Sequence, residues 1–189
     1  MPAGARPPLA LVALFVAVGL VMAADAFSPQ DSPEIQLQLG DLLFADGRFS
    51  EALAAYEHAV GAPEPRVRIP ARIGLVRSAL RVGSFQTARA EAEVLRVERP
   101  TDAFALAVYG DAMWSAGLFD EAEAGYAQSL ALQPGEARAQ NGMARVLSAR
   151  GRFDDALEHS LQAIRLEPRE ADYHHTLGNV SERLGRYDH

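Results

Sequence analysis

Apolar and small residues return along this chain on a fixed period, with polar residues filling the intervals. From Leu106 to Pro134 the landmarks are Gly117, Phe119, Ala122, Leu130 and Pro134, and 34 residues later stand Gly151, Phe153, Ala156, Ile164 and Pro168. Gly83, Phe85, Ala88 and Pro100 precede the first set by the same 34 residues, and Gly178, Gly185 and Tyr187 begin a further copy. The first copy, with Gly40, Gly47, Phe49, Ala52, Tyr56 and Ala59, stands 36 residues before the second, so two extra residues separate them. Self-similarity at this period marks a stacked helical array. The pattern predicts an all-α chain of nine helices, near 34–46, 50–61, 71–82, 85–98, 103–116, 119–132, 137–150, 153–166 and 171–184. A tenth would begin where the chain stops, at Asp188-His189.

Each landmark has a physical task. Gly40, Gly110, Ala144 and Gly178 share one position in the first helix of each pair, where a small side chain lets the second helix approach. Gly47, Gly83, Gly117, Gly151 and Gly185 stand where the first helix ends, in the left-handed conformation that glycine adopts without strain. The aromatic two residues later is expected to plug the space under the turn. Glu51, Asp120, Glu121, Asp154 and Asp155 put carboxylates in the first turn of a second helix, favoured by the helix dipole. Pro100, Pro134 and Pro168 stop the second helices.

Leu39-Gly40 with Gly47, Ala52, Tyr56 and Ala59, and Tyr109-Gly110 with Gly117, Phe119, Ala122, Tyr126 and Pro134, resemble the tetratricopeptide repeat. The resemblance covers residues 33–189 and implies a right-handed α-solenoid of antiparallel helix pairs, about four and a half repeats (33–68, 69–102, 103–136, 137–170 and an incomplete 171–189). It also implies a binding surface. In such arrays the second, fifth, ninth and twelfth positions of the first helices point into a concave groove. Carried over by phase, these are Asp41 and Phe44, Ile73, Arg77 and Leu80, Phe104, Asp111 and Trp114, Asn141 and Arg145, and His175 and Asn179, with Arg81 one position further on. Arginines grip carboxylates in a two-pronged fashion, and Phe104 and Trp114 are the aromatic anchors that interfaces favour.

Residues 1–26 read differently. Arg6 precedes an uncharged stretch, and Leu9 to Ala24 is a nearly unbroken apolar run ending in Ala24-Asp25-Ala26, an Ala-x-Ala cleavage pattern. At about 1.5 Å per residue the run falls short of a hydrocarbon core of roughly 30 Å. A cleaved signal peptide is therefore expected, with a short membrane anchor at 7–24 as the alternative. Either implies export across the cytoplasmic membrane, to the periplasm or beyond, and any membrane contact runs through this segment. Phe27 to Pro33 is a polar linker.

Composition narrows the chemistry. The 189 residues contain no cysteine, and all 18 basic residues are arginine, so thiol and lysine chemistry is excluded. A net charge of −7 with scattered arginines argues against nucleic acid as a partner. No nucleophile elbow, zinc-binding helix or phosphate loop is present. His174-His175 are neighbours pointing about 100° apart on a helix, whereas metal pairs use three- or four-residue spacing. Neither cofactor, metal nor enzymatic activity is expected of these residues. The expectation is an exported scaffold that holds a protein or peptide in its groove. The alternative is the non-catalytic part of a larger envelope enzyme continuing past residue 189. The sequence leaves oligomeric state open.

Overall fold

The computed structural model describes residues 32–185. The predicted export segment at 1–26, nearly all of the linker, and Tyr187 lie outside the described residues. Nine helices follow one another, with no strand among the described residues: α1 (Pro33–Ala45), α2 (Phe49–Ala59), α3 (Pro65–Arg81), α4 (Phe85–Glu98), α5 (Ala103–Ser115), α6 (Phe119–Leu132), α7 (Ala137–Ala149), α8 (Phe153–Leu166) and α9 (Ala171–Arg183). No described helix is long and apolar enough to cross a membrane.

Every helix packs on the next, and α1, α3, α5, α7 and α9 also pack on one another in series. The odd-numbered helices therefore make a continuous inner layer, with the even-numbered helices behind it. This is an all-α solenoid of helix pairs. Its main core runs unbroken from Val76 to Val180 and is floored by alanines such as Ala88, Ala122 and Ala156, all fully buried.

The turn inside each pair is closed by glycine. At Gly117 φ is +77°, and the backbone N–H of Leu118 reaches the carbonyl of Met113 at 2.9 Å, so α5 ends in a Schellman turn. The same positive φ recurs at the equivalent glycine of every described pair. The aromatics after these turns plug less than expected: Phe85 and Phe119 are about half exposed. Phe119 instead leans on Trp114 at 4.9 Å between ring centres, and Phe49 leans on Phe44 at 5.1 Å.

One helix departs from its expected bounds by more than two residues. α3 begins at Pro65 instead of residue 71, and Pro70 lies inside it. Proline at the first helical position costs nothing, because that N–H has no helical partner, and the added turn buries Val67 beside Ala71 and Leu75. Arg68 fastens the preceding loop by donating to the carbonyls of Ala62 and Pro63 and to Glu98 on α4.

Candidate functional site

The inner layer is organised around two tyrosines supplied from behind it. Tyr56 on α2 and Tyr126 on α6 are 2% and 0% exposed. Gly40 and Gly74 flank the ring of Tyr56, and Gly110 and Gly142 flank that of Tyr126. A Cβ added at Gly40 would stand 2.6 Å from Tyr56 Cε1, and one at Gly110 2.5 Å from Tyr126 Cε1. The small residue expected to admit the second helix thus makes room for a ring. Each ring passes between two first helices and delivers its hydroxyl to the concave side. Tyr56 donates to Asp41 Oδ1 at 2.8 Å, and Tyr126 to Asp111 Oδ1 at 2.7 Å.

Around Asp111 the polar groups close into a cluster. Arg138 Nη1 donates to Asp111 Oδ2 at 2.8 Å, and Arg145 Nη2 donates to Asp111 Oδ1 and, at 2.8 Å, to the Tyr126 hydroxyl. Burial opposes the charge on Asp111, but the Arg145 and Arg138 guanidiniums and the Tyr126 hydroxyl outweigh it and hold the carboxyl below its usual value. Burial pushes the Tyr126 phenol well up, with Asp111 acting in the same direction. The guanidiniums are also packed, Arg145 over Trp114 at 5.3 Å and Arg138 over Phe104 at 5.5 Å.

Arg77 stands in the same register as Arg145, over Phe44 at 4.4 Å, yet no carboxylate pairs with it among the described residues. Burial lowers its pKa, and the charges of Arg138 and Arg81 lower it further. Phe44, Arg77, Asp111, Arg138 and Arg145 line a concave cavity of about 450 Å³, which holds four arginines (77, 81, 138, 145) against three carboxylates (Asp111, Glu170, Asp172). In a chain of net charge −7 this is a locally positive surface.

The cavity collects Phe44, Arg77, Leu80, Arg81, Asp111, Asn141, Arg145 and His175 of the expected groove residues. Trp114 and Asn179 line an adjoining hollow, which shares Arg145 and His175 with the first. Three residues stand apart from both. Asp41 is exposed and accepts from Tyr56, Ile73 packs half-buried against the main core, and Phe104 is covered by Arg138. Trp114 is half-buried between Phe119 and Arg145. His175 meets Asn179 Nδ2 at 3.1 Å, and no metal-sized group of His, Asp and Glu occurs among the described residues.

Sequence reasoning passed over Arg138 and Asp172, although they stand 34 and 68 residues after Phe104 at its own position. Applying the phase to every copy finds them. Tyr126 and Tyr173 belong to no groove position and become site residues only through packing. Charge, aromatic faces and hydrogen-bond donors suit this surface to binding.

Two tetratricopeptide repeat profiles match the sequence, one over residues 113–180 and the other over 22–66 and 73–139. No curated protein matches it. Among solved structures, the chain is similar to a thermophilic tetratricopeptide repeat protein of Thermus thermophilus, at 22% identity and TM-score 0.72, covering 82% of this chain and 84% of that one. It is similar also to a tetratricopeptide repeat protein of Parabacteroides merdae, at 20% identity and TM-score 0.66, with 93% and 68% covered. A third is YrrB, described as having an unusual peptide-binding site, at 18% identity and TM-score 0.59, with 77% and 74% covered. These likenesses are of fold. With one repeat family matched along most of its length and its helices paired and stacked in series, the chain belongs to the tetratricopeptide repeat family.

Proposed function

We propose that this scaffold binds an extended segment of a partner protein in the concave groove between α3 and α9. The observation that carries the reading is the positive cavity: four arginines, each over an aromatic ring, project from the first helices α3 and α7 into one hollow. Aromatic and arginine anchors dominate binding energy at interfaces. The exposed Arg165 of α8 lies behind the inner layer and provides the contrast. Once a partner has been isolated, Arg77→Ala and Trp114→Ala should each weaken it by about thirtyfold or more, since an anchor contributes about 2 kcal/mol or more. Arg165→Ala should change affinity less than about twofold. Isothermal calorimetry decides between them, and an Arg165→Ala loss as large as that of Arg77→Ala would sink the reading. The same proposal puts the scaffold on the far side of the cytoplasmic membrane, led there by residues 1–26. Fractionation of cells producing the full chain, with and without that segment, tests the location.

A further inference from the structure

Arg81, the last residue of α3, and Asp172, in the first turn of α9, form an ion pair at 3.2 Å across 91 residues of sequence. The inner layer packs α3 on α5, α5 on α7 and α7 on α9. The pair therefore reaches across the concavity and does not follow the stack. Both side chains are exposed, at 48% and 61%, and both line the cavity. One helical turn before Arg81, on the same face, stands Arg77, a half-buried guanidinium with no carboxylate partner among the described residues. Glu170 acts on Arg77 only at a distance. The other two arginines of the cavity are already committed to Asp111. The free capacity for an anion is thus concentrated at Arg77 and Arg81, and the chain places one of its own carboxylates at the second of them.

We propose that Asp172 is a built-in competitor: it holds Arg81 until a carboxylate of an extended partner segment displaces it and is gripped by Arg81 and Arg77 together. This rests on the groove reading and adds the chemistry of the partner, an acidic segment, and a threshold for its entry. An exposed ion pair is weak and screened by salt, so displacement is easy. The half-buried Arg77 offers the stronger grip, because a charged hydrogen bond gains as water is excluded.

Fluorescence anisotropy of a labelled hexaglutamate peptide, added to the full 189-residue chain at low salt, tests this against a hexaglutamine control. Hexaglutamate binds and hexaglutamine does not. Asp172→Asn tightens binding by about two- to fivefold, the value of an exposed pair. Arg77→Gln weakens it by about tenfold or more, Arg77→Lys recovers part of that loss, and Arg165→Gln leaves it unchanged. Circular dichroism confirms that each variant folds. Binding that is lost in Arg77→Gln but unchanged or weaker in Asp172→Asn overturns the competitor and leaves the groove standing. Binding weakened only by Arg165→Gln overturns the groove itself, and no binding of hexaglutamate overturns the acidic-segment assignment.

Discussion

Tyr56 and Tyr126 occupy the same place in two helix pairs 70 residues apart, each ring between two glycines and each hydroxyl on an aspartate. Beyond that shared frame the two sites differ. Asp111 is buried and held by Tyr126, Arg138 and Arg145, whereas Asp41 is exposed and among the described residues meets the hydroxyl of Tyr56 alone. The residue in the register of Arg138 in the earlier unit is Pro70, which has no charge to offer. Arg77, in the register of Arg145, lies on Phe44 without joining Asp41. The later unit has turned its polar residues into a closed structural cluster. The earlier one leaves the Arg77 guanidinium without a carboxylate partner among the described residues. Repetition thus fixes where a side chain stands, and its neighbours decide whether it stabilises the fold or remains available to a ligand.

The contrast breaks most readily at the aspartates. Asp111→Asn leaves two guanidiniums facing each other without their counter-charge and should cost about 3–5 kcal/mol, the penalty for opening a buried pair. Asp41→Asn should cost under about 1 kcal/mol. Urea unfolding measures both, and equal losses would mean that burial does not separate the two sites. The pH dependence follows the same carboxyl. Because Asp111 is held below its unfolded value of about 3.9, its contribution is complete above that pH and is lost as pH falls through the folded value. The stability of the parent chain should therefore decline below about pH 4 more steeply than that of Asp111→Asn.

Next in size is the hydroxyl. Tyr126→Phe removes a donor to Asp111 and an acceptor for Arg145, and should cost about 1.5–3 kcal/mol, the range for hydrogen bonds to charged groups. Tyr56→Phe, with one bond to an exposed aspartate, should cost less, as paired thermal melts would show. The glycine frame can be tested by Gly142→Ala, whose added methyl meets the Tyr126 ring. Overpacking of this kind costs about 1–3 kcal/mol, and a Tyr126→Ser background should abolish the cost. The smallest effect has the opposite sign. Gly178 has open space beside it, so Gly178→Ala in α9 should stabilise by about 0.5–1 kcal/mol. A loss there would show that its face is covered.

Much of this molecule was legible as spacing. The 34-residue return of Gly117, Phe119 and Ala122 located the helix pairs, and every second helix from α4 onward has the expected bounds. The helix expected from residue 71 instead starts at Pro65, because proline is tolerated at the first helical position and burial of Val67 and Ala71 carries α3 through Pro70. Phe85 and Phe119 depart from expectation in a different way. The turn geometry is local, but how far a ring is covered depends on helices that arrive later in the chain.

By itself the sequence determined the helices, their pairing, the glycine turns and the register of each groove position, because these depend on backbone conformation and on a repeated local pattern. Tertiary structure alone decided which charges meet. Arg145 and Arg138 reach Asp111 from the next repeat, and Arg81 reaches Asp172 from three repeats away. Those distances are set by the summed curvature of the stack, which no single repeat encodes. The same curvature leaves Arg77 facing a cavity with no carboxylate of the described chain against it.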